Sequence, residues 1–205
     1  MSKRILFAVI AGLALSSHLQ ASSLVDGDPE AGEDKSQACA ACHQADGNSE
    51  NPEWPKLAGQ GARYTFEQLV AYKEQERDNA EMYGQVQGLD EQDFKDLAVF
   101  YERQTPQPGS ADPELAEKGE RIYKGGNLES GVSACIACHG PRGEGVPAAG
   151  YPQVGGQHAR YSIQELERYR DGERTTDRAS MMRQIAQRMT DEEIEAVAEY
   201  MQGLY

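Results

Sequence analysis

Cysteine is scarce in this chain of 205 residues: there are four, and all lie in two motifs of the form Cys-x-x-Cys-His, at residues 39–43 and 135–139. No thiol is therefore left for a disulfide framework or for a separate metal site. Long apolar runs are also scarce, because only one, at residues 5–15, interrupts an otherwise polar sequence. That pattern excludes a bundle of membrane-spanning helices.

Basic residues are in short supply as well: 20 lysines and arginines stand against 34 aspartates and glutamates, for a formal net charge of -14. Such a charge disfavours binding to nucleic acid and to anionic membrane surfaces, and it favours docking to partners that present lysine and arginine. The alternative is that the acidic residues only keep the protein in solution. Composition does not separate the two.

The two motifs have the chemistry of covalent haem attachment, since the thiols can add to the two vinyl groups of a haem while the adjoining imidazole reaches the iron. The residues are Cys39, Cys42 and His43 in the first motif and Cys135, Cys138 and His139 in the second. One tetrahedral zinc ion between the motifs, or a redox disulfide in each, are the other interpretations. Zinc ligands usually come from neighbouring hairpins, and these motifs are far apart, so we predict two covalently bound haem c groups.

The first 21 residues have the features of an export signal. Lys3 and Arg4 precede the apolar run of residues 5–15, and Leu19-Gln20-Ala21 offers a small-residue cleavage site. The run is shorter than the roughly 20 residues that span a bilayer. We therefore expect a mature periplasmic protein that begins near residue 22, in agreement with haem attachment after export. A retained membrane anchor is the alternative.

The rest of the chain is a tandem duplication. Residues of the first copy that recur 97 positions later are Pro55, Gly59, Gln60, Arg63, Tyr64, Leu69, Tyr72 and Arg77. The match resumes at an offset of 100 near the end of each copy, where Leu97 and Ala98 align with Val197 and Ala198. A segment rich in proline and glycine separates the copies. We predict domains at residues 22–103 and 113–205 with a linker at 104–112.

Helical periodicity is present in both copies. Asp90 can cap a helix with an apolar stripe from Phe94 to Tyr101, and Thr190 with Glu193 forms a capping box before a similar stripe. A middle helix recurs in both copies, and Asp112 and Pro113 begin another. Gly32 and Gly119 can let the first and last helices of each copy cross closely, or they are ordinary helix-end glycines. No strand pattern of useful length is present, so we predict an all-α protein of two tandem domains, each wrapped around one haem.

The ligand on the second side of each iron decides the function, since a thioether closes the site and stabilises ferrous iron, whereas an open position permits oxygen or peroxide chemistry. Met82 and Met182 stand at equivalent positions, 100 residues apart. Methionine is also a common packing residue in helical cores. Met181 competes with Met182, and only the repeat register favours the latter, while Met189 and Met201 fall on helix stripes and are interpreted as packing.

A ligating histidine needs an acceptor for its other ring nitrogen. The carbonyl groups of Pro55 and Pro152 are the candidates, although these prolines also fit plain turns. A few residues after each proline come hydrogen-bond donors that suit buried haem propionates, namely Arg63, Tyr64, Arg160 and Tyr161. They can equally be surface residues.

With these residues the chain resembles cytochrome c4, a dihaem family of periplasmic electron carriers built from two class I cytochrome c domains. The likeness covers nearly all of the mature chain and rests on the two Cys-x-x-Cys-His motifs, on the segments at 55–60 and 152–157, and on the closing residues 200–205. The resemblance implies that His43 and Met82 ligate one iron and that His139 and Met182 ligate the other. It also implies that the haems face each other across a domain interface with their propionates nearby.

We therefore expect an electron carrier rather than an enzyme, in which each iron alternates between ferric and ferrous forms without releasing a ligand. The resemblance implies a quinol-oxidising complex as donor and a haem-copper terminal oxidase as acceptor. The expected protein is a monomer that can associate peripherally with a membrane and does not bind nucleic acid. The rival class is a haem c enzyme, such as a dihaem peroxidase or a sulfur-compound dehydrogenase subunit. A tethered haem module of a larger membrane complex is the third interpretation.

Overall fold

Helices make up the regular structure of residues 24–204, which are the residues that the computed structural model describes. The first copy contains α1 (Pro29–Ser36), α2 (Ala40–His43), α3 (Ala62–Lys73), α4 (Ala80–Val86) and α5 (Glu91–Glu102). The second copy contains α6 (Pro113–Gly125), α7 (Ile136–His139), α8 (Ala159–Asp171), α9 (Met181–Ala186) and α10 (Asp191–Gly203), with 3₁₀ turns at Pro147–Ala149 and Arg178–Ser180. Within residues 24–204 the only β pairing is two isolated bridges, so the all-α prediction is confirmed.

The ends of the longer helices are fixed by their own side chains. At α5, Asp90 accepts from the backbone N–H of Asp93 while the Asp93 carboxylate accepts from the Asp90 N–H. Thr190 and Glu193 form the same capping box at α10. Asp112 caps α6, and a proline occupies the first helical position. The predicted caps are therefore confirmed.

The first and last helices of each copy cross with their backbones nearly in contact. A Cβ atom on Gly32 of α1 would lie 2.2 Å from the carbonyl oxygen of Asp96 in α5, and one on Gly119 of α6 would lie 2.0 Å from the carbonyl oxygen of Ala196 in α10. No side chain larger than hydrogen fits at either crossing. These glycines are therefore packing residues rather than helix ends.

Each copy has its own apolar core, built from the predicted helix stripes. Phe94, Leu97 and Tyr101 of α5 are each 2% exposed, and Ile194 and Val197 of α10 are each 1% exposed. Residues of α3 and α8 pack against these stripes, including Phe66, Leu69, Tyr72, Ile163 and Leu166. The middle helix of each copy is thus part of its core, as predicted.

The segment between α5 and α6 is non-helical and is bound to both copies. The Gln107 N–H donates to Asn48 Oδ1 at 2.9 Å, and the Gly109 N–H donates to the Gln202 carbonyl at 2.9 Å. The linker bounds of 104–112 stay a prediction. The expected export signal at 1–21 lies outside the described residues, and no helix among residues 24–204 has the length and apolarity needed to cross a membrane.

Candidate haem sites

Each Cys-x-x-Cys-His motif forms a single helical turn. The His43 N–H donates to the Cys39 carbonyl at 3.0 Å, and the His139 N–H donates to the Cys135 carbonyl at 2.9 Å. One turn thereby brings two thiols and an imidazole to the same place. None of the four cysteines forms a disulfide. Among residues 24–204, no group of three or more histidine, cysteine, aspartate or glutamate side chains is arranged to hold a metal ion by itself, which disfavours a zinc site shared between the motifs.

Both histidines are buried and held by the proline carbonyls that were the sequence candidates. The Nδ1 of His43 lies 2.8 Å from the Pro55 carbonyl oxygen, and the Nδ1 of His139 lies 2.9 Å from that of Pro152. A carbonyl only accepts, so Nδ1 carries the proton and Nε2 keeps its lone pair for a metal. Burial lowers the pKa of both imidazoles, despite the opposing effect of these hydrogen bonds, and this favours the neutral form that binds iron.

One continuous cavity of about 770 Å³ runs between the two copies and reaches both motifs. Its lining includes the predicted site residues Cys39, Cys42, His43, Met82, Cys135, Cys138, His139 and Met182. Apolar side chains such as Leu69, Leu97 and Val197 complete the walls. Paired thiols, a neutral imidazole and a thioether in apolar surroundings suit a covalent haem at each end. The structure therefore brings together all eight predicted residues around one space.

Five methionines line the cavity: three lie near the start of short helices, and two also belong to the core of the second copy. Met82 lies in the first turn of α4, where its N–H is capped by Asn79 Oδ1 at 2.9 Å. Met181 and Met182 begin α9, and both line the cavity, so their positions do not show which one is the ligand. The repeat register remains the reason to prefer Met182. Met189 and Met201 are 5% and 7% exposed and lie in the core of the second copy, as expected for packing residues.

Two arginines that the sequence analysis did not assign to the site are buried at the boundary between the copies. Arg77 and Arg174 are each 4% exposed and line the cavity. Arg77 donates to the hydroxyl of Tyr161 at 2.7 Å, and Arg174 donates to the hydroxyl of Tyr64 at 2.8 Å, so each contact crosses from one copy to the other. The recurrence of Arg77 as Arg174 in the repeat was the available signal.

For Arg63 and Arg160, the structure favours the surface alternative. Arg63 pairs with Glu67 of its own helix at 3.0 Å, and Arg160 pairs with Glu53 at 2.9 Å, in both cases with side chains at least 38% exposed. Neither arginine lines the cavity. The two buried guanidinium groups that line the cavity, and whose chemistry suits haem propionates, are those of Arg77 and Arg174.

This fold and site define a two-domain cytochrome c. The cytochrome c family model matches residues 30–102 and 116–205. Cytochrome c4 of Thiocapsa roseopersicina is 48% identical over 187 residues, which cover 90% of this chain and 97% of the relative. The chain belongs to the cytochrome c4 family, whose members are dihaem electron carriers.

A solved structure and a more distant relative extend the comparison. The crystal structure of reduced recombinant cytochrome c4 from Pseudomonas stutzeri superposes with a TM-score of 0.85 at 43% identity, covering 87% of this chain and all of the other. The thiosulfate dehydrogenase electron acceptor of Thiomonas intermedia (strain K12) is 36% identical over 170 residues, covering 80% of this chain and 77% of the relative. Tandem cytochrome c domains of this kind bind two covalent haem c groups, and the two Cys-x-x-Cys-His motifs form their attachment sites.

Proposed function

We propose that the protein is a periplasmic electron carrier in which His43 and Met82 ligate one haem iron and His139 and Met182 ligate the other. Each haem supplies one-electron Fe(II)/Fe(III) chemistry. The observation that carries the proposal is the single cavity in which each Cys-x-x-Cys-His turn and a methionine of the same copy lie together. A closed pair of axial ligands favours electron transfer over chemistry on a bound substrate.

The protein side chains supply the conditions for rapid transfer. The proline carbonyls hold both imidazoles in one tautomer and one orientation, which limits rearrangement when the charge on the site changes. Buried walls exclude water, and the thioethers favour the reduced form. We propose residues 22–103 and 113–205 as the two haem domains, with 104–112 as the linker between them.

For the physiological route, we propose that electrons pass from a quinol-oxidising complex to a haem-copper terminal oxidase. The net charge of -14 supports partners whose docking surfaces are rich in lysine and arginine. Docking of that kind weakens as salt rises, because exposed charges are screened. Reduction by the quinol-oxidising complex should therefore slow as ionic strength increases.

The holoprotein purified from a periplasm tests the proposal. Its intact mass should correspond to a chain without residues 1–21 that carries two haems. Its oxidised spectrum should contain a methionine-to-iron charge-transfer band from both haems, and the resting protein should bind neither cyanide nor peroxide. A high-spin haem at rest, or turnover of peroxide, would overturn the assignment in favour of an enzyme.

A second candidate donor is a dehydrogenase that oxidises a sulfur compound. It is favoured by the 36% identity to a protein named as an electron acceptor of thiosulfate dehydrogenase. The chain would still act as a carrier, with a different source of electrons. Stopped-flow mixing of the oxidised holoprotein with a thiosulfate dehydrogenase and thiosulfate, and separately with a quinol-oxidising complex and quinol, distinguishes the two donors by their rates of haem reduction.

A further inference from the structure

We propose that Gln60 and Gln157 are positioning residues that link each domain to the axial histidine of the other, so that each haem potential depends on the opposite domain. The inference rests on the proposed ligation by His43 and His139. It assigns a redox role to two glutamines whose side chains lie outside the ligand sets.

The first link passes through the peptide bond between Pro55 and Lys56. The carbonyl oxygen of this peptide accepts from His43 Nδ1 at 2.8 Å. The N–H of the same peptide donates to Gln157 Oε1 of the second domain at 2.9 Å. Gln157 Nε2 also donates to the Lys56 carbonyl at 2.9 Å, so the glutamine binds this backbone at two points.

The second link repeats the first with the domains exchanged. The peptide between Pro152 and Gln153 accepts from His139 Nδ1 at 2.9 Å through its oxygen and donates to Gln60 Oε1 at 2.8 Å through its nitrogen. Gln60 Nε2 donates to the Gln153 carbonyl at 3.0 Å. The two glutamines stand 97 residues apart, at equivalent positions of the repeat. The same arrangement is thus built twice.

Each glutamine is also anchored to its own domain. Gln157 Oε1 accepts from the His158 N–H at 3.0 Å, and Gln60 Oε1 accepts from the Gly61 N–H at 3.2 Å. Backbone N–H groups only donate and backbone carbonyls only accept, so these partners fix which end of each amide is oxygen. The amide group is therefore held in one orientation from both sides of the interface.

Hydrogen bonds to the two ends of one peptide group strengthen each other. When the N–H donates to a glutamine oxygen, the carbonyl oxygen gains negative charge and becomes a better acceptor for Nδ1–H. A better acceptor makes the imidazole a stronger electron donor to the metal, and this stabilises the ferric form. Loss of the glutamine should therefore raise the potential of the haem in the opposite domain.

The deciding experiment uses Gln157→Leu and Gln60→Leu in the full-length holoprotein, with the midpoint potential of each haem assigned by NMR of its haem methyl groups. Gln157→Leu is expected to raise the potential of the haem at His43 and to leave that at His139 unchanged, and Gln60→Leu should do the reverse. Such polarisation changes the strength of a hydrogen bond by about 10–30%. We therefore expect the ferric-to-ferrous ratio to change roughly twofold to fourfold. For a one-electron couple this corresponds to a change in midpoint potential of about 18 to 36 mV.

Gln164→Leu provides the matched control, because Gln164 of the second domain also bonds across the interface, to Glu53 Oε2 at 2.5 Å, without touching either proline peptide. It should shift neither potential. Gln157→Asn and Gln60→Asn, which keep an amide but shorten its reach, serve if a leucine variant does not fold, and they should shift the opposite haem in the same direction.

Two readouts separate this inference from the ligand assignment. The methionine-to-iron band of the unmodified protein reports on the ligands alone. The Nδ1–H proton of His43 should move upfield in the Gln157 variants and stay in place in the Gln60 variants, as expected for a weaker hydrogen bond. Three results would overturn the inference: a change of potential confined to the haem of the glutamine's own domain, equal changes of potential at both haems, or no change of potential while the methionine-to-iron band stays intact.

Discussion

Gln68 and Glu165 occupy equivalent positions of the two repeats, 97 residues apart, yet one carries an amide and the other a carboxylate. Gln68 Oε1 accepts from Arg77 at 2.9 Å and from Arg174 at 2.8 Å. Glu165 Oε2 lies 2.9 Å from Arg77 and 2.6 Å from Arg174. Two buried guanidinium groups therefore share one carboxylate, and the positive charge that remains suits the haem propionates.

Replacing Glu165 by glutamine should destabilise the protein. The variant would have amides at both equivalent positions and no carboxylate between Arg77 and Arg174, which are each 4% exposed. We expect the free energy of unfolding to fall by about 3 kcal/mol, the usual loss when one partner of a buried ion pair is removed. Urea titration of the holoprotein, followed by the fluorescence of the single tryptophan, measures this change.

The double variant Gln68→Glu, Glu165→Gln is the matched control, since it returns a carboxylate to the same pair of arginines from the other domain. Most of the lost stability should be recovered. A double variant as unstable as Glu165→Gln alone would mean that the position of the carboxylate, rather than its charge, is what matters.

The same carboxylate should make stability depend on pH. Burial alone would raise the pKa of Glu165, but Arg77, Arg174 and Arg168 together outweigh it and hold the pKa below its ordinary value of 4.5. Because the folded pKa is the lower one, the carboxylate stabilises the folded state above about pH 4.5 and loses that effect as the pH falls through the folded value. The stability difference between the unmodified protein and Glu165→Gln should be constant near neutral pH and shrink below pH 4.5. A difference that stays constant under acid conditions would contradict this account.

The helix crossings should tolerate no added methyl group. Gly119→Ala would place a Cβ 2.0 Å from the Ala196 carbonyl oxygen, a clash that only backbone movement can relieve. We expect the free energy of unfolding to fall by about 3 kcal/mol, at the upper end for overpacked cores.

Gly84→Ala in α4 is the control, because its Cβ would meet nothing within 4 Å. That variant should gain roughly 0.5–1 kcal/mol from its better helix propensity. Thermal unfolding compares the two, and equal effects would refute the packing role of Gly119.

What could be predicted from the sequence was local or repeated. The motif turns, the caps at Asp90 and Thr190, and the acceptors of the two histidines depend on residues within about fifteen positions of each other, where spacing is informative. The contacts between the domains join residues that are far apart in the sequence, and no spacing pattern marks them. The repeat identified Arg77 and Arg174 as equivalent, but only the folded chain shows that each bonds to a tyrosine of the other domain. For the same reason the sequence left open whether Arg63 and Arg160 lie at the haem site or at the surface.

The choice between Met181 and Met182 can be settled by single substitutions. Both side chains line the cavity at the start of α9, where Ala179 and Ser180 adopt positive φ angles of 49° and 58° that set the direction of the helix. Met182 also packs against the core of the second domain, and it matches Met82 in the repeat.

Met182→Ala should therefore remove half of the methionine-to-iron band, lower the potential of the second haem and allow it to bind cyanide, since a thioether favours ferrous iron. Met181→Ala, the control at the adjacent position, should leave the band and cyanide binding unchanged. Loss of the band in Met181→Ala alone would assign the ligand to Met181 and show that the repeat register had misled the prediction.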